Sequence, residues 1–231
     1  MRQDLLLNNV MNSIEHNLNF IRREIGDQAM LVAVSKNQPS EAVMEAYQAG
    51  QRVFGENRVQ ELLLKHPVLR PDIQWHLIGH LQTNKVKYIA SFISMIQSVD
   101  SLKLLEEISA QALKNDRVID CLLQMYIASE ETKFGLDEGE VNDLLISIRQ
   151  HPLSGVRICG LMGMATFTDD TDQIRKEFRG IKSFFNKFRS EFFREDPSFN
   201  QLSIGMSGDY LIAIEEGSTI VRIGTKIFGN R

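Results

Sequence analysis

The 231-residue sequence has little of what would mark a secreted, membrane-spanning or nucleic-acid-binding chain. Its two cysteines, Cys121 and Cys159, lie inside apolar runs (DCLLQMYI and VRICGLMGM). That placement predicts buried, reduced thiols instead of a disulfide framework, with a reducing cytoplasm as the setting. No apolar run approaches the roughly 20 residues of a membrane span. The opening stretch, MRQDLLLNNVMNSIEHNLNF, is broken by polar residues every few positions, unlike a secretory signal. Lysine and arginine (26) do not outnumber aspartate and glutamate (30), so no basic field recommends nucleic acid. The prolines and glycines never gather into a linker, and no low-complexity stretch divides the chain. One domain over residues 1–231 is therefore expected. At 43% apolar, a chain of this length can bury a core without disulfides or metals.

What is present is a rhythm. Residues 4–24 place Leu7, Val10, Met11, Ile14, Leu18 and Ile21 at helical spacing. Strand candidates follow at 30–35, 52–54, 74–79, 93–99, 121–128, 156–162, 202–204 and 219–223. Helical patterns separate them at about 39–49, 56–65, 83–91, 101–115, 137–149, 171–194 and 208–216, with a last one from 225. Most of the strands are nearly continuous apolar runs, as parallel strands covered on both faces require. Eight such units predict an α/β protein, a single closed (β/α)8 TIM barrel with an extra N-terminal helix. An open doubly wound sheet is the alternative. Its GxGxxG turn is missing, because the first strand runs into SKNQPS.

In such a barrel, function sits where strands end. The residues at those ends are Lys36, Glu56, Asn57, His80, Asp100, Ser129, Met162, Ser207, Gly224 and Thr225. Lys36 directly follows LVAVS. A lysine at a barrel rim, backed by apolar strands, can present a nucleophilic amine and form a Schiff base with a carbonyl compound. It can equally leave the strand for solvent. The turns GMSGD (205–209) and GTK (224–226) follow the last two strands. Glycine admits an anion close to the backbone, and loops at this place are the usual phosphate site of the fold. Ser203, Ser207 and Thr225 can add hydroxyl donors. The competing reading makes Ser207 or Thr225 simple helix N-caps. Arg222 shares a strand face with Gly224 and points either into the barrel or outward to a helix acid. His76 and His80 in WHLIGH lack a third ligand or an HExxH pattern, so no metal is expected. The phenylalanine-rich stretch 181–193 is expected to pack a helix, and Trp75 to anchor the core or rim.

Six strings give the chain a resemblance. They are LVAVSK (31–36), FGENRVQE (54–61), WHLIGHLQTNK (75–85), EETKFG (130–135), GLMGMA (160–165) and SIGMSGDYLIAIEEGSTIVRIGTKIFG (203–229). Together they resemble the YggS/PROSC-type pyridoxal-phosphate-binding proteins, the pyridoxal phosphate homeostasis family. That family is similar to the barrel domain of alanine racemase (fold type III of pyridoxal-phosphate proteins) without the racemase's second domain. The resemblance implies that Lys36 carries pyridoxal 5′-phosphate as a Schiff base. It implies a phosphate cup of Ser203, Gly205, Met206, Ser207, Gly224 and Thr225, with Arg222 facing the pyridine nitrogen and Asn57 and Met162 near the ring. His80 and Gly208 depart from the family's usual pattern.

An acid beside the ring nitrogen would keep it protonated and strengthen the cofactor as an electron sink. Arginine cannot accept that proton. A racemase also needs a second base, for which His80 and Tyr210 are the candidates. The expectation is a carrier that binds, buffers and delivers the cofactor, with no catalytic residue assigned. The alternatives are a racemase-like enzyme, or a barrel that forms a lysine Schiff base with a phosphorylated metabolite. Pyridoxal-phosphate-dependent apo-enzymes are the partners this implies, and the missing second domain implies a monomer.

Overall fold

In the computed structural model, which describes residues 13–128 and 135–229, eight parallel strands close into a barrel in chain order. They are β1 (Met30–Val34), β2 (Val53–Glu56), β3 (Gln74–Leu77), β4 (Met95–Val99), β5 (Ile119–Gln124), β6 (Val156–Met162), β7 (Gln201–Ser203) and β8 (Ile220–Ile223). The helices are α1 (Ile14–Ile25), α2 (Ser40–Gln48), α3 (Val59–Lys65), α4 (Leu102–Leu113), α5 (Glu138–Gln150), α6 (Thr171–Phe192), α7 (Tyr210–Glu215) and α8 (Thr225–Phe228). Pairing of β1 with β8 excludes the open sheet. Leu7, Val10, Met11, Ser129 and residues 130–134 of the EETKFG string lie outside the described residues.

The segment expected as a helix at 83–91 is a 3₁₀ helix, Thr83–Tyr88. No side chain caps its start, and Val86 is its one buried residue. That apolar face is too narrow to hold an α-helix on the sheet. By contrast, α6 buries Ile174, Phe178, Ile181, Phe185 and Phe188 along one stripe. The phenylalanines are core, as expected. So is Trp75, fully buried and 5.9 Å from the Phe54 ring. Both cysteines are free and buried.

The eighth helix is a single turn, too short to cover β8 and β1. Helix α1 packs on α8, α2 and α7 and completes the outer ring. Ser13 caps its start by accepting from His16 N, and Gly26, at φ 56°, ends it. Asn17 Nδ2 donates to Ile227 O at 3.0 Å, and Arg22 Nη1 to Ala49 O at 2.6 Å.

Along each strand the side chains alternate between the helices and the barrel interior. Val32, Met95, Leu122, Cys159, Met162 and Ile220 form a separate interior cluster. A bulge between β5 and β6 falls where Gly160 takes φ 153°, and a Cβ there would stand 1.7 Å from Gln201 O. No other residue fits so close to β7.

The upper interior is polar and forms one continuous chain. Arg222 Nη1 donates to Ser203 Oγ (2.5 Å), Ser203 Oγ to Gln97 Oε1 (2.7 Å), and Gln97 Nε2 lies 2.9 Å from His76 Nδ1. Its polarity follows from chemistry. Arginine only donates, so Ser203 must turn its proton to the Gln97 carbonyl. The Gln97 amide therefore faces the imidazole and donates to Nδ1, which leaves the His76 proton on Nε2. Burial agrees, pushing the His76 pKa down to about 4.

Two outcomes test this interior. Gly160→Ala is expected to lose about 3 kcal/mol or more of stability in urea unfolding, because it combines a forbidden φ with a backbone clash. For His76, the unfolded chain binds a proton below its ordinary pKa near 6.5, whereas the native imidazole stays neutral down to about 4. Stability therefore falls as pH drops through that window, by roughly 3 kcal/mol from this residue. In His76→Asn, whose Oδ1 can still accept from Gln97, the pH slope of unfolding free energy should diminish by one proton.

Candidate functional site

The register of β1 and β8 brings Lys36 and the last turn to the same rim. Val32 pairs with Arg222 and Ala33 with Ile223. The chain then leaves both strands side by side, and a Cβ on Gly224 would lie 3.2 Å from Val34 O. Lys36 is half-buried at this edge. Its neighbours are held from behind the sheet. Ser35 Oγ donates to Glu56 Oε1 (2.7 Å), Lys65 Nζ donates to Ser35 O (2.7 Å) and Glu56 Oε1 (2.6 Å), and Asn37 N donates to Glu61 Oε2 (2.6 Å).

Arg222 points into the barrel. It is 4% exposed, and its flanking Val221 and Ile223 face the helices. Besides Ser203 Oγ, Nη1 donates to Ser203 O (2.8 Å) and Nη2 to Gly163 O (2.9 Å). At least two of its five N–H groups have no acceptor among the described residues. Burial lowers its pKa to about 10, against the pull of Asp209, so it remains a cation at neutral pH.

The two C-terminal turns are joined to each other. Gly224 N donates to Ser207 Oγ at 3.2 Å, and Met206 N to Asp209 Oδ1 at 2.5 Å. Neither Ser207 nor Thr225 caps a helix: the N-cap residues are Asp209 for α7 and Gly224 for α8, and neither makes a side-chain cap bond. The capping explanation of these turns is thereby set aside. The backbone N–H groups of Ser207, Gly208, Thr225 and Lys226 have no protein acceptor among the described residues. Such a concentration of unspent donors suits an anion. Burial raises the Asp209 carboxyl above the usual range, opposed by the Met206 N–H and Arg222.

The expected site residues separate into two levels. Lys36, Met206, Ser207, Gly224 and Thr225 stand at the rim, and half-buried Asn57 follows β2 beside them. Ser203, Met162 and Arg222 lie beneath, inside the barrel. The Ser203 hydroxyl is engaged with Gln97 and Arg222, so it orients the arginine below the turn. Gly205, at φ 93°, admits α7 against the sheet, since a Cβ there would stand 2.5 Å from Ala213 Cβ. The two candidate second bases differ in placement. His80 Nδ1 pairs with Asp100 Oδ2 at 3.0 Å on the exposed rim. Tyr210 is buried, with its hydroxyl bonded to Glu24 of α1.

Sequence reading missed the roles of Gln97, Asp209 and Lys65. Gln97 sits in an apolar strand and Lys65 in a helix that reads as surface, so only the fold reveals their partners. Among the described residues, no group of three or more His, Cys, Asp or Glu is placed to hold a metal. None of the described helices is long and apolar enough to cross a membrane.

Comparison with known proteins agrees with this geometry. The family described as alanine racemase, N-terminal domain, matches residues 11–231. A pyridoxal phosphate homeostasis protein of Aquifex aeolicus is 40% identical over 204 residues, 88% of this chain and 87% of that protein. PipY of Synechococcus elongatus, solved without PLP, superposes with a TM-score of 0.88 at 36% identity, covering 94% of this chain and 100% of its own. PipY with PLP bound superposes at 0.84 and 35%, with the same coverage. Alanine racemase of Bartonella henselae shares the fold at a TM-score of 0.70 and 16% identity, over 94% of this chain and 60% of the racemase. By sequence and by fold, the chain belongs to the family of pyridoxal phosphate homeostasis proteins.

Proposed function

We propose that this chain binds pyridoxal 5′-phosphate at the barrel mouth through Lys36, and that it stores and delivers the cofactor with little catalysis of its own. The observation that carries this reading is the buried Arg222, directed by Ser203 and Gly163 and left with free N–H groups below the mouth. The residues present fit such a group. The turns offer unspent amides for a phosphate, Arg222 offers donors for an acceptor nitrogen, and Lys36 offers an amine. The similarity to pyridoxal phosphate homeostasis proteins and to PipY with PLP bound supports the same assignment.

Each residue then has a task. Lys36 would supply the amine that holds the cofactor's aldehyde carbon, the aldehyde oxygen being released as water. Ser207, with the amides of Gly208, Thr225 and Lys226, holds the phosphate, and Gly205, Met206 and Gly224 shape that cup. Ser203 orients Arg222, and Asn57 and Met162 flank the ring. When bound, the cofactor draws electrons from an attached amine, most strongly when its ring nitrogen is protonated. Arg222, a donor that keeps its protons at neutral pH, would meet that nitrogen as an acceptor and keep the sink weak. Tyr210 serves α1, which removes one of the two candidates for a racemase's second base and leaves His80 at the rim. We further propose that the chain acts as one domain and as a monomer in the cytoplasm. Its recipients are apo-enzymes that depend on the cofactor.

The purified protein is expected to show a visible absorbance band that borohydride removes and Lys36→Ala abolishes. A colourless protein that takes up no added cofactor would sink the proposal. Two variants separate the contacts. Ser207→Ala should weaken binding of pyridoxal phosphate but not of pyridoxal, which lacks the phosphate. Arg222→Ala should weaken both by about ten-fold, the loss of one charge-assisted hydrogen bond. Equal affinity in Arg222→Ala and the parent would remove the ring assignment. Loss of an α-hydrogen from amino acids in deuterated solvent, above the rate of free cofactor, would favour the racemase-like reading.

A further inference from the structure

We propose that Glu56, Glu61 and Lys65 are positioning residues that fix the height and direction of Lys36 at the barrel mouth; this rests on the reading of Lys36 given above. Both residues next to Lys36 are tied to them. On one side, Ser35 is held by its carbonyl to Lys65 Nζ (2.7 Å) and by its hydroxyl to Glu56 Oε1 (2.7 Å). On the other, the Asn37 N–H is held to Glu61 Oε2 at 2.6 Å. Lys65 Nζ binds the set together, 2.6 Å from Glu56 Oε1 and 3.4 Å from Glu61 Oε2.

Alternation supplies the direction. Ala33 belongs to the core facing the helices, and Val32 to the interior cluster. Continued past β1, the same alternation sends Ser35 outward, where Glu56 and Lys65 receive it. The next side chain, Lys36, is thereby turned to the barrel side. Asn37 then takes φ 58°, a left-handed conformation that asparagine adopts more readily than most residues with a Cβ. Its bond to Glu61 holds the chain in that bend. The lysine's own backbone is pinned between two fixed neighbours, and none of the three clamp residues need touch a ligand.

Stability alone does not account for this arrangement. Lys65 and Glu56 are both buried, at 6% and 0% exposure. A buried ion pair is often no more stabilising than apolar residues of the same volume. Glu56 Oε2 is also buried without a hydrogen-bond partner, which adds to the cost. What the group achieves in return is placement of one backbone segment. Misplacing a reacting group by about 1 Å can cost on the order of 100-fold in rate.

The test compares the parent with Glu61→Ala, Glu61→Gln and the charge-free double variant Glu56→Gln/Lys65→Met. Lys36→Ala defines zero linkage, and thermal unfolding identifies the folded variants. Equilibrium dialysis measures total bound pyridoxal phosphate. The visible band and borohydride-fixed mass measure the linked fraction and its rate of formation. Glu61→Ala and the double variant are expected to link about ten-fold more slowly or worse, with total binding within about two-fold of the parent. Glu61→Gln should retain the parent rate, because its amide oxygen still accepts from Asn37. Linkage within about two-fold of the parent in both disabled variants would overturn the clamp. So would an equal fall in linkage and total binding, which signals general disruption. A parent that shows no linkage dependent on Lys36 would instead remove the reading on which the clamp rests.

Discussion

A guanidinium buried inside a barrel imposes an order on everything that touches it. Arg222 has no acceptor capacity, so each hydrogen-bonding neighbour must accept. Ser203 offers its carbonyl and hydroxyl, and Gly163 its carbonyl. Once Ser203 accepts, its proton has one place to go, and the orientation passes through Gln97 to the His76 tautomer. Strands β3, β4, β7 and β8 and the end of β6 are linked by one directed chain of donors. A network whose members are satisfied in a single sense is rigid, because reversing any one bond strands the rest. The upper barrel thus has one polar arrangement.

A second buried cation does comparable work on the opposite face of the sheet. Lys65 joins the ends of β1 and β2 from the helix side, as Arg222 joins the later strands from within. The two are buried to a similar degree yet neutralised differently. Lys65 meets carboxylates directly, whereas Arg222 meets carbonyl dipoles, with Asp209 acting only at a distance. That leaves the interior cation with attraction to spare for a ligand. In a chain of net charge −4, the unspent amides of the last two turns lie above this cation, an arrangement that suits an anion.

How much of this could be read from the sequence follows from the range of each interaction. The barrel was legible because parallel strands covered on both faces leave continuous apolar runs, and the alternation with helices repeats eight times. The rim positions of Lys36, Ser207, Gly224 and Thr225 were legible because these residues directly follow apolar strands. The direction of Arg222 was not, because Val221 and Ile223 suit either face of a covered strand. The 3₁₀ helix at Thr83–Tyr88 was misread because its apolar spacing is too short to distinguish a period of 3.0 from 3.6. Lys65 resembled any helical lysine with a glutamate one turn back, since its closer partners, Glu56 and Ser35, lie 9 and 30 residues away in sequence. Ser203 was matched to the cup by its motif, and only its distant partner Gln97 shows that it lies one level lower.

The same C-terminal segment also bears on the proposal that this barrel holds its cofactor more than it turns it over. Between Ser203 and Gly229 the chain must build the anion turns and close the barrel. With α8 reduced to one turn, closure falls to α1, and the bond between Tyr210 and Glu24 fastens α1 to that segment. The tyrosine nearest the turns is therefore committed to architecture and carries no free hydroxyl to the mouth. Beneath the mouth, the buried cation Arg222 is a donor that cannot relay a proton at neutral pH, and His76 lies three links away with its burial favouring the neutral form. Proton transfer at a bound amine needs groups that change charge near neutrality. The described interior groups have the opposite property: they keep one protonation state and one direction, which supports the proposed retention of an anionic aldehyde.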